Sequence, residues 1–425
     1  MTLKKIIIYL IYSITLLIGL YISENSSGGA KRDFFHLYPY MENFSENIYK
    51  GILLFFESKG SIIHSPVFYI LIGFTQRFIE DILFLKIIYI IISCFLPILF
   101  YQILREKINN NKFELILFYF SLIIFYSPYF RSSSIWLLGD NLSLIFFSLT
   151  VLFYLKGINF NKNYYFYLSI ISLIICSYIR YYYCVYAIFF IYEYYKYLDR
   201  KNFINLILLS VFLSIPALIY FYYLFFNTEF ANALNTFGGL NYINSTIQIL
   251  NIILFYTSIV IILSIKDFLF FLKNNKIKFI IFSFILLILY LINDIFFYST
   301  QSIPKTGGGI FFKFFNIIDL NHKSYLYITS LISLIFIDFI FSNNRKLNYM
   351  ILIIIILSLP LNIIFQKYLD PLIFIILFGL IKSKIIDNLL LEKNKLKYLH
   401  LYFFSFFTVA FIYYFNILSL KHKFY

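Results

Sequence analysis

A polar stretch over residues 23–81 separates the first two long apolar runs and holds the first side chain that could do chemistry. Asp33 lies there beside Lys31 and Arg32, three residues before His36. A carboxylate in a polar loop can act as a general base on an acceptor hydroxyl that arrives from water. The same carboxylate could equally be a solvated charge that offsets its two basic neighbours. Asp33 is therefore a candidate catalytic base, and His36 is a candidate substrate-binding residue.

A second set of charged residues stands at the ends of later apolar runs. Asp140 and Asn141 begin one run, as residues that cap a helix N-terminus do, and Arg131 precedes them in the same short connection. Arg180 lies between two further runs. A guanidinium presents a planar fork of donors that matches a phosphate group, although an arginine there can also be an anchor that reaches water. We predict a second catalytic acid, Asp140, and two phosphate-binding arginines, with Lys367 as a weaker candidate.

Composition assigns the chain to the membrane proteins. Hydrophobic residues make up 61% and charged residues 13% of the 425 positions, against roughly 45–50% and 25% in soluble domains. Apolar runs of roughly 20 residues, the length that crosses the hydrocarbon as a helix, recur along the chain. The formal charge of +15 comes from residues spread between these runs, which argues against a nucleic-acid partner. We predict an all-α polytopic membrane protein in which residues 1–425 form one domain.

The distribution of lysine and arginine predicts how the chain crosses the membrane. Residues 62–79 contain His64, Pro66 and Arg77, and their uninterrupted apolar part is too short to cross. If this segment stays at the surface, most of the 35 lysines and arginines fall on the side of the N-terminus, which the positive-inside rule places inside. Residues 23–81 then form the first outer loop. The thirteen predicted spans are residues 6–22, 82–104, 113–130, 141–155, 164–179, 181–195, 203–226, 249–265, 279–296, 324–341, 347–364, 369–381 and 398–418.

Two motifs resemble those of a known superfamily. The run His-Ser-Pro-Val-Phe-Tyr at residues 64–69 is similar to a His-Pro-Pro-Leu-Tyr-Tyr stretch, and Ser127 to Asp140 is similar to a Ser-Arg…Asp outer loop. Both are found in the GT-C superfamily of polyprenyl-phosphate-sugar-dependent glycosyltransferases, in its protein O-mannosyltransferase and aminoarabinose-transferase-like branch. The likeness covers residues 1–200. It implies a GT-C-like bundle of about thirteen transmembrane helices with juxtamembrane helices in the first outer loop. It also matches Asp33 to the acid that the family carries in its first outer loop, and Asp140 to the acid in its second outer loop.

The resemblance implies that residues 1–425 are a single transmembrane glycosyltransferase domain, a hexosyl- or pentosyltransferase. A polyprenyl-phosphate-linked sugar would enter from the outer leaflet, with its phosphate held by Arg131, Arg180 or Lys367. The sugar would pass, with inversion, to a hydroxyl of a glycan, a lipid or a protein. Because no Asp-X-Asp motif surrounds Asp33, no cofactor is assigned, and a divalent metal stays open. Further candidates for substrate contacts are His36, His64 and Tyr368.

The predicted location is the cell (inner) membrane of a bacterium or the endoplasmic reticulum of a eukaryote, with membrane lipids as partners and the active site on the outer or luminal face. Two other classes also fit a polytopic chain: a transporter or flippase, and an O-antigen polymerase-like protein of envelope glycan assembly. Transporters tend to show repeats and charged residues at mid-membrane, whereas the polar residues here gather toward one predicted face. An O-antigen polymerase usually has its large outer loop late in the chain. An enzyme is the better interpretation.

We predict that residues 62–79 stay on the outer side and do not cross. Single cysteines placed at Lys59 and at Glu80 should both react with an impermeant thiol reagent added to intact cells, because both ends of the segment then face outward. The three native cysteines are first replaced by serine, and that background is the control. Reaction at position 80 only after permeabilisation would contradict the thirteen-span topology.

Overall fold

The computed structural model describes residues 3–57, 64–226, 239–297, 307–320 and 322–421. Within these ranges the regular secondary structure is helical, and one isolated β-bridge joins Leu240 to Leu361. The protein is a helical membrane protein, as its composition predicts. Lys59, one of the proposed labelling positions, lies outside the described residues.

Contacts divide the chain into two compact units, Met1–Ala233 with Leu396–Tyr425, and Leu234–Lys395. The α-helices before residue 233 are α1 (Leu3–Tyr21), α2 (Ala30–Glu46), α3 (Ile48–Glu57), α4 (Val67–Gln76), α5 (Ile82–Ser93), α6 (Phe95–Ile108), α7 (Glu114–Ser121), α8 (Pro128–Ile135), α9 (Gly139–Phe160), α10 (Asn163–Ile179), α11 (Ala187–Tyr197) and α12 (Arg200–Phe225). The longer helices that follow are α13 (Tyr242–Leu263), α14 (Ile265–Asn274), α15 (Lys276–Phe297), α16 (Gly309–Ile317), α17 (Ser324–Ile340), α18 (Arg345–Ser358), α19 (Lys384–Leu391) and α20 (Lys393–Lys421).

Eight helical stretches of the described chain are long and apolar enough to cross a membrane. A crossing needs about 20 residues, because each helical residue advances roughly 1.5 Å through about 30 Å of hydrocarbon. A ninth crossing results if the bent pair Glu114–Tyr126 and Pro128–Ile135, whose halves meet at 67°, is one span. The eight stretches are Leu3–Tyr21, Ile82–Ile108, Gly139–Phe160, Arg200–Tyr223, Tyr242–Leu263, Lys276–Asn293, Ser324–Asn343 and Lys393–Tyr414.

The remaining predicted spans coincide with shorter helical elements. The helices α10, α11 and α18 have 17, 11 and 14 residues. The predicted span 369–381 consists of the helical turn Leu372–Phe374 and the π-helix Ile375–Leu380. The 17 residues of α10 are at the lower limit for a crossing helix, and each of the other elements alone is too short to cross as a straight helix. The count of thirteen spans therefore stays a prediction.

The helix α9 forms the centre of the first unit. It packs along α10 and α6, and most of its side chains are buried, including the polar Ser143, Ser148 and Thr150. By contrast, α12 exposes large apolar side chains such as Phe212 and Leu218, as expected of a helix that faces lipid. The buried α9 is thus a rigid support, and its first turn carries Asp140.

Three helices, α2, α3 and α4, occupy the described part of residues 23–81, and α2 packs against both of the others. The helices α3 and α4 have ten residues each, so each is roughly 15 Å long, half of a membrane crossing. The Arg77 side chain donates to the carbonyl oxygens of Ser45 (2.8 Å) and Phe44 (3.2 Å), which joins the end of α4 to the end of α2. The placement of these three helices at the outer surface stays a prediction.

The second unit is built around α13, which packs on α17. One face of α13 carries amide side chains that bond to its neighbours. Asn251 donates to the Leu326 carbonyl at 3.0 Å and to Ser330 Oγ at 2.8 Å, and Asn293 donates to Asn244 Oδ1 at 2.9 Å. Hydrogen bonds of this kind join helices in a membrane, where apolar contacts alone give little preference.

Candidate functional site

A buried ion pair fixes the connection between α1 and α2. Arg131 donates from Nε to Glu24 Oε1 at 2.8 Å and from Nη2 to Glu24 Oε2 at 2.6 Å. The two side chains are 7% and 1% exposed. Arg131 also donates to the hydroxyl and to the carbonyl oxygen of Thr15, at 2.8 and 3.0 Å. Four of the five N–H donors of this guanidinium are thus occupied by protein groups, and its role in holding a donor phosphate stays a prediction.

Close packing at Gly19 allows Glu24 to fold back onto α1. The Glu24 backbone N–H donates to the Gly19 carbonyl at 2.8 Å. A Cβ atom on Gly19 would lie 2.6 Å from Glu24 Oε2 and 2.8 Å from Ile135 Cδ1, which is closer than real side chains approach. Any larger residue at this position would displace the Glu24 carboxylate from Arg131.

Further hydrogen bonds fasten the same segment to α8 immediately before α2 begins. Ser26 Oγ donates to Glu24 Oε1 at 2.8 Å, and the Ser27 backbone N–H donates to Ser132 Oγ at 3.0 Å. The Trp136 indole N–H donates to the Glu24 carbonyl oxygen at 2.7 Å. The start of α2, and with it Asp33 in the first turn, is therefore held in one place relative to α8.

A second buried ion pair joins two of the predicted site residues to each other. Arg180 donates from Nε to Asp140 Oδ1 and from Nη2 to Asp140 Oδ2, both at 2.9 Å. Burial by itself lowers the pKa of Arg180, but attraction to Asp140 outweighs it and raises that pKa overall, so the guanidinium stays charged. Because the two charges cancel, this pair offers no net positive charge to a phosphate.

Tyr69 is a buried residue on which the charges of both predicted acids act. Its ring packs against those of Phe68 and Tyr40, with centroids 6.0 and 6.3 Å away. Burial raises the pKa of the Tyr69 phenol; the charge of Arg180 lowers it, and the charge of Asp140 raises it.

Asp33 also raises the pKa of Tyr69 through its charge. The structure thus brings Asp33 close to the pair formed by Asp140 and Arg180, within electrostatic reach of one phenol. Asp33 itself is half-buried in the first turn of α2. The positive end of the helix dipole stabilises a carboxylate in the first turn, which gives a structural reason for an acid at this position.

The 64–69 segment contacts the two helix ends that carry this pair, the end of α10 and the start of α9. Ser65 Oγ donates to the Tyr178 carbonyl, two residues before Arg180. The ring of Phe68 covers Gly139, where a Cβ atom would lie 3.1 Å from the ring. The half-buried His64 accepts a hydrogen bond at its carbonyl oxygen from the Tyr220 hydroxyl, at 3.4 Å. These contacts give the segment a positioning task, and the substrate role of the His64 ring stays a prediction.

The ammonium groups of two lysines lie over aromatic rings near Asp33. The Lys86 ammonium lies 4.1 Å from the ring centroid of Phe34 and 4.4 Å from that of Trp136. The Lys31 ammonium lies 5.6 Å from the Trp136 ring. In the part of the chain that the structure describes, neither lysine is paired with a carboxylate. We call Lys31, Lys86, Phe34 and Trp136 the lysine cluster.

Sequence analysis missed several of these groups. Glu24 follows the end of an apolar run and looks like a surface charge, so nothing in its neighbourhood indicated burial. Lys86 is the only charged residue in the predicted span 82–104, and an ionisable residue within a span is a functional candidate by default. That signal could have identified it. The pairing of Asp140 with Arg180, forty positions apart, had no local signal.

Of the other predicted site residues, one lies on α2 and two lie in the second unit. His36 is exposed on α2. Lys367 and the buried Tyr368 belong to the second unit, where the Lys367 ammonium lies 5.7 Å from the Phe365 ring and 5.8 Å from the Tyr368 ring. No group of three or more His, Cys, Asp or Glu side chains able to hold a metal ion occurs among the described residues. The roles of these residues stay predictions.

Comparisons with protein-family models, with curated proteins and with solved structures found no match to this chain. The assignment of a function therefore depends on the geometry of the first unit.

We predict that the Glu24–Arg131 pair is required for stability. Glu24→Gln leaves a guanidinium buried without its counter-charge, which typically costs about 3–5 kcal/mol. The control is Glu46→Gln, which breaks the exposed pair between Glu46 and Lys50 (3.0 Å) and should cost at most about 1 kcal/mol. Unfolding of both variants in the same detergent gives the comparison. Equal stabilities would show that the buried pair contributes no more than a surface pair.

Proposed function

We propose that the protein is an integral-membrane glycosyltransferase that moves a hexosyl or pentosyl group from a polyprenyl-phosphate donor to a hydroxyl acceptor. The observation that carries this proposal is the lysine cluster, in which two ammonium groups without a carboxylate partner among the described residues stand next to Asp33. An anion site next to a candidate base is what transfer from a phosphate-linked donor requires.

The lysine cluster is suited to bind a lipid-linked phosphate. Two ammonium groups close together repel each other, and an anion between them removes that repulsion. Lys86 lies in the second turn of α5, at the end of a helix that can cross the membrane, so a lipid chain could lie along the hydrocarbon while its phosphate contacts the cluster. Lysine is suited to this task because it acts as a compact point charge.

Asp33 would act as the base. Its carboxylate takes the proton from the acceptor hydroxyl, and the acceptor oxygen attacks the anomeric carbon of the donor sugar. The bond from that carbon to the phosphate oxygen breaks, and the electron pair leaves with the phosphate. Lys31 and Lys86 would stabilise the negative charge that develops on the leaving group. A single displacement of this kind inverts the anomeric configuration.

The proposal includes the finer features of the predicted topology. These are a GT-C-like arrangement of thirteen spans, the loop 23–81 on the outer or luminal face of the cell or endoplasmic-reticulum membrane, and an acceptor on a glycan, a lipid or a protein. In this proposal the lysine cluster takes the phosphate-binding role that the sequence assigned to the arginines, because Arg131 and Arg180 are each engaged with a carboxylate.

The experiment compares Asp33→Asn with Lys86→Met in purified protein supplied with labelled polyprenyl-phosphate sugars. Asp33→Asn should lower kcat by about 10²–10⁴-fold, because a general base is lost. Lys86→Met should raise KM for the donor by about ten- to a hundred-fold, the range for one charge-assisted hydrogen bond. The variants Glu42→Gln and Lys50→Met, which remove exposed charges from the same loop, are the matched controls.

Transfer by Asp33→Asn at the parental rate would refute the role of this acid. Movement of the labelled donor across vesicles without transfer to any hydroxyl acceptor would favour a flippase instead.

A further inference from the structure

The hydroxyl of Tyr69 has no protein partner within the described residues. No hydrogen bond to it is found there, although the side chain is only 1% exposed. The neighbouring buried Tyr89, by contrast, donates its hydroxyl to the Leu138 carbonyl. Buried hydroxyls are paired in most proteins, since an unpaired one costs about 1–3 kcal/mol. The Tyr69 hydroxyl is not among the fully enclosed unpaired polar atoms of the described residues, so a ligand hydroxyl can reach it and supply the partner.

Packing fixes the direction of Tyr69 independently of any ligand. The rings of Phe55, Phe68 and Tyr40 lie 6.0, 6.0 and 6.3 Å from its ring. Two contacts hold this segment against the ion pair. Phe68 covers Gly139, and Ser65 donates a hydrogen bond to the last turn of α10, just before Arg180. This aromatic packing therefore sets the direction of the phenol.

The surroundings of Tyr69 favour a neutral, hydroxylated ligand. Asp140 and Arg180 cancel each other's charge, yet each carboxylate oxygen can accept more than one hydrogen bond. Asp140 can therefore accept from a ligand hydroxyl while it remains bonded to Arg180. Burial keeps the phenol protonated by raising the pKa of Tyr69, so Tyr69 is a donor and not a base. A donor and an acceptor side by side match the hydroxyls of a sugar ring.

Resting on the proposed function, we propose that Tyr69 and Asp140, held by Arg180, form the subsite that binds the transferred sugar through its hydroxyls. The phosphate of the same donor then lies at the lysine cluster. Both sites border α2, since Phe34 belongs to the lysine cluster and Tyr40 contacts Tyr69. These two residues are six positions apart, an axial rise of roughly 9 Å, so both sites lie within two turns of one helix.

The test separates binding of the sugar from binding of the phosphate. Tyr69→Phe should raise KM for a polyprenyl-phosphate sugar by about ten-fold, the loss of one hydrogen bond. The inhibition constant of sugar-free polyprenyl phosphate should stay at the parental value, because the lysine cluster is intact. Lys86→Met should weaken both ligands. Equal weakening of both ligands by Tyr69→Phe, or a parental KM, would overturn the inference.

Stability gives a second readout that does not depend on turnover. Tyr69→Phe removes no protein hydrogen bond and should keep the parental melting temperature, whereas the control Tyr89→Phe loses its bond to Leu138 and should melt lower. Added sugar-linked donor should stabilise the parent protein more than sugar-free polyprenyl phosphate does, and Tyr69→Phe should abolish that difference.

The outcomes for the two proposals are distinguishable. A parent protein that distinguishes the two ligands but transfers no sugar would refute the glycosyltransferase and leave the sugar subsite standing. A parent protein that transfers sugar while Tyr69→Phe behaves as the parent would refute only the subsite.

Discussion

The buried ion pair between Glu24 and Arg131 is the interaction on which the candidate site depends. It joins the turn after α1 to α8, and the bonds of Ser26, Ser27 and Trp136 add to the same junction. A buried pair with both partners present gains little net stability, but a single unpaired partner is strongly destabilising. The pair therefore acts mainly as a positional constraint, because only one arrangement of the two segments satisfies both charges.

The same rule of charge compensation separates the cations of the first unit into two kinds. Arg131 and Arg180 each have a carboxylate within 2.9 Å, so they are part of the framework. Lys31 and Lys86 have aromatic rings as neighbours and no acid among the described residues. Cation–π contacts at partly exposed positions contribute about 0.5–1 kcal/mol, far less than a buried counter-charge. The lysines are thus the cations with most to gain from an anionic ligand.

Much of the fold could be predicted from composition and run length. The apolar runs are helical, and the short apolar stretch Val67–Gln76 forms a helix of only ten residues. Local hydrophobicity is enough to predict both features. The predicted span 369–381 is not one α-helix, because it consists of the turn Leu372–Phe374 and the π-helix Ile375–Leu380. Residues 372–381 carry no polar side chain, so hydropathy alone could not predict the π-helix.

The candidate site was predictable only in part. Asp33 stands out as an acid in the polar stretch between two apolar runs, and Asp140 as an acid at the start of a later run. The charges of both act on Tyr69. Which cation each acid meets depends on contacts between segments distant in sequence, and no local pattern encodes them. For this reason the sequence suggested two free arginines, whereas the structure pairs both.

The most direct test of the central claim is an experimental structure of the protein with bound polyprenyl phosphate in a lipid environment. Our account predicts density for the phosphate within hydrogen-bonding distance of the ammonium groups of Lys31 and Lys86, with the Glu24–Arg131 and Asp140–Arg180 pairs unbroken. A phosphate bound instead by Arg131 or Arg180, after the separation of either pair, would contradict the account.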